Sequence, residues 1–336
     1  MKRRRIKAIS SRLHEADEAG ITETKGKHLD YITIDNQPDA ILTSDWHLRE
    51  TIPICRTDDF WKTQWEKVDF VATLQQKYDC PVLHAGDLFH HWKPSPYLIS
   101  TAIEHLPYKF MTVYGQHDLP QHNFTLKEKS GIYVLEKAGK LKVLRKASWG
   151  QIPDKCSIAF ELGERKKGEK LWVSENNKKI LVWHKYNYIG KSPWPNCKEP
   201  TGNSLINEYK QFDLILTGDN HVPFTIKKGK RLLVNPGSLM RQDADQIDFK
   251  PRVYLWFAET NEVTKVYIPI KEEAVTREHI EREKEKENRI ASFIKKLDGD
   301  WEAELSFEEN LKRFIQSNRI RKDVIEIIYK AIENYD

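Results

Sequence analysis

Five short apolar runs, each ending in side chains that can bind a cation, constrain this chain more than any other feature of it. AILTS (40–44) runs into Asp45 and His47, PVLHA (81–85) into Asp87, and KFMTVY (109–114) into Gln116 and His117. KILVW (179–183) runs into His184, and LILT (214–217) into Asp219 and His221. Runs of this length and composition read as buried strands. In open α/β sheets ligands gather at the carboxyl ends of strands, so five clusters scattered along the sequence can meet in one place. Gly86, Gly115 and Gly218 each precede a polar residue, where the backbone must turn sharply out of a sheet.

The segments between these runs supply crossovers. Residues 58–78 put Trp61, Trp65, Val68, Val71 or Ala72 and Leu74 or Gln75 on one face, as an amphipathic helix does. Residues 95–106 predict a second helix with Pro96 at its start. Residues 224–235 and 252–270 read as β-hairpins turning at Gly229 and Asn261. An α/β body is therefore predicted over 39–270, closing in antiparallel strands. Residues 1–38 form a polar extension with a short helix around 10–19. After Ile270 the texture changes to a charged helix over 271–297, a break at Asp298-Gly299-Asp300, and a helical pair over the remainder of 271–336. Ser306 and Glu309 make a capping box, and Leu311, Phe314 and Ile315, then Ile320, Val324, Ile327 or Ile328 and Ala331, form apolar stripes.

Composition narrows the classes. At 336 residues the chain can bury a sizeable core. It has no apolar run of about 18 residues that could span a membrane, and the basic start MKRRR is not followed by the apolar core of a signal peptide. Cys55, Cys80, Cys156 and Cys197 stand far apart without a CxxC pair, which points to reduced thiols and a cytoplasmic protein. Residues 271–336 carry 14 Lys and Arg against 17 Asp and Glu, whereas the first 270 carry 41 against 33. The positive excess sits with the body, the part that would face an anionic substrate.

Taken singly, the polar clusters say little: a DxH is common, Gly-Asp is ordinary turn chemistry, and a strand-end His usually bonds its neighbours. His84, inside its run, reads as a packed histidine. Together, three carboxylates, three imidazoles and an amide suit a pair of divalent ions such as Mn²⁺, with one carboxylate shared. Two ions about 4 Å apart can polarise a phosphoryl oxygen, generate hydroxide near neutral pH and steady a leaving group, which is phosphoester hydrolysis.

The ordered series DxH, GD, GQHD, H and GDxH resembles the calcineurin-like metallophosphoesterase superfamily. GDLFHHWKPS (86–95) and NPGSLMRQ (235–242) are similar to its SbcD-type DNA-nuclease branch, of phage or bacterial kind. The resemblance implies an α/β fold of two packed mixed β-sheets flanked by helices, a four-layer αββα sandwich, with a C-terminal helical appendage. It implies that Asp45, His47, Asp87 and His221 hold one ion, with Asp87 bridging to a second held by Gln116, His184 and Asp219. It also implies that His117, oriented by Asp118, is the general acid or phosphate contact, and that His90 helps place the DNA strand. Two positions depart from the family's pattern. Gln116 stands where Asn is usual and Asp219 where His is usual, so a third carboxylate faces the ions and favours hard Mg²⁺ or Mn²⁺.

Trp92, Arg49 and Arg241 are the side chains expected to touch DNA; Trp46 is either a stacking face or core. The basic stretches 2–5, 165–170 and 227–231 could track phosphates or be solvated tips. In the SbcD-type branch a helical pair after the body sits on the coiled coil of an SbcC-like ATPase, so the stripes at 311–332 imply such a partner. They could equally pack on the body or on a second copy in a homodimer. Three readings compete: a Mn²⁺-dependent DNA exo- and endonuclease serving repair or recombination, a phosphoesterase acting on a nucleotide or phosphoprotein, and a weakly active scaffold subunit.

Overall fold

The computed structural model describes residues 37–144, 156–160, 178–299 and 306–333. The helix expected around 10–19 and the basic stretches 2–5 and 165–170 lie outside the described residues. The chain divides into two compact units, 1–276 and 277–336.

In the first unit the strand runs form two mixed sheets. The larger contains β1 (Ala40–Thr43), β2 (Val82–His84), β3 (Phe110–Thr112), β4 (Lys142–Val143), β10 (Arg252–Phe257) and β11 (Glu262–Tyr267) in the order β11-β10-β1-β2-β3-β4. β1 to β4 run parallel, and β10 pairs antiparallel with both β1 and β11. The smaller sheet contains β5 (Cys156–Phe160), β6 (Lys178–Trp183), β7 (Leu214–Thr217), β8 (Phe224–Lys228) and β9 (Arg231–Asn235) in the order β5-β6-β7-β9-β8. β8 and β9 are antiparallel and the others parallel.

The period of two along each strand builds the layers. Ala40, Leu42, Leu83, Ile180, Val182, Leu214, Leu216, Val234, Tyr254 and Trp256 share one core between the sheets. Their neighbours Ile41, Val82, Val253 and Leu255 face outward into a second core under α1 (Phe60–Tyr78), α2 (Pro96–His105) and α3 (Gly131–Lys137). Leu181, Ile215 and Leu233 face a third core, roofed by α4 (Gly202–Glu208). Helix, sheet, sheet and helix are thus four layers, and each fully buried aliphatic side chain contributes about 1.5–3 kcal/mol to holding them. Asp59 caps α1 by accepting from Lys62 N at 3.0 Å, and Ser95 caps α2 ahead of Pro96.

The helix expected from 271 begins at Glu278, as α5 (Glu278–Gly299). Residues 271–276 are tied to the body: Val275 pairs with Arg56, Thr276 N donates to Cys55 O at 2.8 Å, and Thr57 Oγ1 donates to Glu273 O at 2.7 Å. Of the break expected at Asp298-Gly299-Asp300, Asp298 and Gly299 instead complete the last turn of α5, and Asp300 lies outside the described residues. In the second unit the capping box opens α6 (Phe307–Ser317), and α7 (Lys322–Glu333) follows. Leu311 and Phe314 are buried, while Val324 and Ile327 are 38% and 67% exposed. Among the described residues no helix is long and apolar enough to cross a membrane.

Candidate metal centre

The loops after β1, β2, β3, β6 and β7 bring all seven expected ligands to one place. The first two are zipped together: Asp45 N donates to Gly86 O and His47 N to Asp87 O, both at 3.0 Å. Asp45, His47, Asp87 and Asp219 have left-handed backbones, with φ of 52°, 45°, 57° and 74°. Asp takes this conformation with little penalty, whereas His47 stores about 1–2 kcal/mol of strain that the surrounding bonds must hold. At Gly115 an added Cβ would lie 2.0 Å from Asp87 Oδ1, so the close approach of the third loop to a ligand requires glycine.

Asp87 sits at the centre. His117 N donates to its Oδ1 at 2.9 Å, and its Oδ2 lies 3.2 Å from His184 Nε2 and 3.8 Å from His47 Nε2. On one side, Asp45 Oδ1 is 3.8 Å from His47 Nε2 and 3.9 Å from His221 Nε2, and those two imidazole nitrogens are 3.1 Å apart. On the other, Asp219 Oδ1 is 4.0 Å from His184 Nε2 and accepts from Gln116 Nε2 at 2.7 Å. Asp219 N in turn donates to both Asp45 oxygens, at 3.1 and 3.2 Å.

Burial and crowded charge set the electrostatics. Asp45 is raised above the usual carboxylate range, chiefly by burial. Burial would raise Asp87 too, but His184, His47 and His117 hold it below that range. Burial pushes His47 well below the usual imidazole value. His184 is as buried, yet the carboxylates of Asp87, Asp45 and Asp219 lift it well above, so a proton there supplies the positive charge the pocket lacks.

The donor set fits divalent ions. Ligand atoms of Asp45, His47 and His221 lie within 4.8 Å of one another, as do those of Asp45, Asp87 and His184. Among the described residues, the ion-pair partners of Asp45, Asp87 and Asp219 are all imidazoles, and His47 Nδ1 is buried without a hydrogen bond. Clustered buried carboxylates facing unsatisfied imidazole nitrogens call for cations.

Outside this pocket the imidazoles of His90 and His117 stack, with centroids 5.5 Å apart at 26°. His117 Nδ1 bonds to His90 O at 2.8 Å, so the His90 carbonyl orients the ring and Asp118 does not. Asp118 instead accepts from the backbone N–H groups of Gly115, Phe89 and Leu88 at 3.0, 3.1 and 3.3 Å, pinning the second and third loops together. Burial and the Asp87 charge outweigh those bonds and push its carboxyl up to about 7.

The residues expected on DNA separate. Arg49 is half-buried beside His90, its guanidinium donating to Thr51 Oγ1 at 2.8 Å, and Trp92 is half-buried with its ring 5.3 Å from that of His91. Arg241 is not at the surface: it is 1% exposed and donates to the carbonyls of Ile247, Lys271 and Glu272, so it fastens the 271–276 segment to the body. Trp46 is core, fully buried, with Nε1 donating to Thr43 Oγ1 at 2.8 Å. His84 is packed beneath it, 2.8 Å from Thr112 Oγ1 and held to about 3 by burial.

Supporting residues that sequence reasoning missed hold the loops. Ser44 Oγ donates to Asp45 Oδ2 at 2.6 Å, Gln242 Nε2 to His47 O at 3.1 Å, and buried Asn235 Nδ2 to Asn220 O and Val222 O at 2.7 and 2.8 Å. The Asn in NPGSL and the Gln closing NPGSLMRQ were visible signals, since a buried amide can bridge backbone groups of a second loop.

A family model described as calcineurin-like phosphoesterase matches residues 40–223, more than half of the chain. The chain belongs to this family. This phosphoesterase therefore shares the family's chemistry, hydrolysis of phosphoester bonds at divalent metals. Solved structures similar to it include an archaeal phosphodiesterase at 12% identity, covering 68% of this chain and 99% of that one, with a TM-score of 0.38. A protein of Thermus thermophilus, TT1561, is 14% identical over 68% of this chain and 98% of its own, with a TM-score of 0.41. A putative 5′-nucleotidase of Staphylococcus aureus is 12% identical over 74% and 58%, also at 0.41. No curated protein matches.

Proposed function

We propose that this phosphoesterase is an SbcD-type DNA nuclease, cutting phosphodiester bonds with two divalent ions, Mn²⁺ foremost and Mg²⁺ next. The observation that carries the reading is the His90–His117 pair. The GDLFHH extension sets a second imidazole against the first, on the half-buried side of the pocket where Arg49 also lies. A small phosphoester needs one proton donor, whereas a polynucleotide must also be held beside the scissile bond.

Bound ions would supply Lewis-acid stabilisation of the phosphoryl oxygens and a nucleophile at neutral pH, with Asp45, His47, Asp87 and His221 holding one and Asp87, Gln116, His184 and Asp219 the other. Because its Nδ1 is engaged by the His90 carbonyl, His117 uses Nε2 to contact the phosphate or protonate the leaving 3′-oxygen. Asp118 keeps the His117 loop against Asp87, and Arg49 offers charge to a flanking phosphate. The helical unit, with Ile327 and Val324 exposed on α7, is proposed to dock on the coiled coil of an SbcC-like ATPase.

Release of labelled nucleotides from linear duplex and single-stranded DNA in Mn²⁺, with Asp87→Asn as the blank, tests the nuclease reading. Release by the wild type alone is expected. Hydrolysis of nucleotides or phosphopeptides with DNA left intact would assign a different substrate, and a protein inert to all three that binds at most one ion would be a scaffold. Co-elution with a coiled-coil ATPase, lost on Ile327→Glu, is expected for the helical unit; self-association lost by the same change would assign that surface to a homodimer.

A further inference from the structure

We propose that His47, His90 and His117 form a further cation site, sharing only His47 with the carboxylate pocket, that takes a borderline ion such as Zn²⁺. One nitrogen from each of the three rings lies within 4.8 Å of the other two. Their centroids are 4.9 Å (His47–His117), 5.8 Å (His47–His90) and 5.5 Å (His90–His117) apart.

Two further observations point to a ligand. The bond from His117 Nδ1 to the His90 carbonyl fixes the ring's tautomer and leaves Nε2 with a free lone pair, the arrangement by which proteins prepare a metal-binding histidine. His47 Nδ1 is buried without a hydrogen-bond partner, so that ring also carries an unsatisfied nitrogen. His90 and His117 are half-buried, which leaves the remaining coordination position open to water.

Donor type decides the ion. Three neutral imidazoles with no carboxylate suit Zn²⁺ or Cu²⁺ and hold Mg²⁺ or Mn²⁺ poorly, the reverse of the preference of the Asp-rich pocket. Arg49, whose charge neighbours His90, works against a cation here, and Asp87 works for it. His47 belongs to both donor sets, and a neutral imidazole offers one lone pair, so an ion in the further site competes with the first catalytic ion for that ring. His117 Nε2 is then occupied and no longer available to phosphate. Zn²⁺ is therefore an inhibitor that works by drawing His47 away from the catalytic pair.

The test uses the full chain saturated with Mn²⁺ and titrated with Co²⁺ as a spectroscopic stand-in for Zn²⁺. The wild type is expected to show the visible absorption of four-coordinate Co²⁺, abolished in both His90→Gln and His117→Gln. Zn²⁺ X-ray absorption of the wild type, which needs no variant to fold, is expected to show three imidazoles in the shell. Co²⁺ bands unchanged in both variants, or a zinc shell dominated by carboxylate oxygen, would overturn the proposal. Neither readout involves DNA, so failure of the nuclease reading would leave this result standing.

Discussion

Two faces of one site, built from the same strand-end loops, are furnished in opposite ways. The inner face carries Asp45, Asp87 and Asp219, with the first two at 0% and 1% exposure and held by backbone N–H groups. The outer face carries no carboxylate: His90 and His117 lean on His47 beside Arg49, and both are half-buried. Buried carboxylates concentrate negative charge where water cannot screen it, so that face exists to hold cations. An imidazole can give or take a proton at one nitrogen while the other is held, so the outer face is suited to moving protons or touching phosphate. The contrast teaches that position at a strand end brings residues together, and that the donor atom then divides the labour.

The largest effect should come from breaking the inner face. Asp87→Asn removes the carboxylate that both His184 and His47 face, and is expected to lower phosphoester hydrolysis by about 1,000-fold or more, the several kcal/mol that bound metal supplies. Gly115→Ala should act in the same direction with every ligand retained, because its Cβ would displace Asp87 Oδ1. Metal analysis after dialysis checks both, and two full equivalents on either variant would contradict the central role given to Asp87. Next in size is the outer face. His117→Gln is expected to cost about 100- to 10,000-fold in kcat, the range of general acid–base catalysis, with the ions of the inner face still bound. The loss should shrink on a p-nitrophenyl ester, whose leaving group needs no proton; equal losses on both substrates would remove the acid role.

Most of this was legible in the sequence because strands and ligands obey local rules. Apolar alternation marks Ile41 against Leu42 for opposite faces, and a polar residue after such a run has nowhere to go but the sheet's end. Elements below the length at which periodicity speaks went unread, among them the two-residue β4 and the seven-residue α3 and α4. Side-chain direction was illegible too. Arg241, in a polar loop, resembles a DNA contact, but the Ile247 carbonyl six residues on and the distant Lys271 and Glu272 carbonyls draw it inward, and nothing in MRQ itself encodes them. Asp118 next to His117 suggests a catalytic pair, yet the turn after β3 points its carboxylate at the loop after β2.

A smaller effect should sharpen the division by making the inner face resemble the outer one. Asp219→His exchanges one anionic oxygen for a neutral nitrogen and removes the acceptor that Gln116 Nε2 uses. The expected outcome is a shift of about tenfold in relative activation from Mn²⁺ and Mg²⁺ toward Co²⁺ and Zn²⁺, the scale at which changes around a metal alter its affinity. Activity profiles across the four ions check it, and an unchanged ranking would mean that Asp219 does not set the second site's hardness.

The smallest effect concerns an imidazole on neither face. His84 is the last residue of β2, three positions before Asp87, and is fully buried, with its folded-state pKa pushed down to about 3 from 6.5. Below pH 6.5 the unfolded chain takes up a proton at this residue and the folded chain does not. The unfolded state then binds more protons, so His84 subtracts stability as pH falls from 6.5 toward 3, by about 1.4 kcal/mol per unit once well inside that window. Above 6.5 both states are neutral and the effect vanishes. His84→Leu removes the titration but also the contact with Thr112 Oγ1, so its absolute stability shifts by an unrelated constant. The difference between wild type and variant as a function of pH isolates the proton. Urea midpoints measured from about pH 7.5 down to about 4.5 should run parallel above the unfolded value and part in slope below it, with the wild type falling faster. Parallel curves throughout would mean that His84 finds a way to protonate inside the fold, and the burial that separates it from the ligand imidazoles would not be what keeps it neutral.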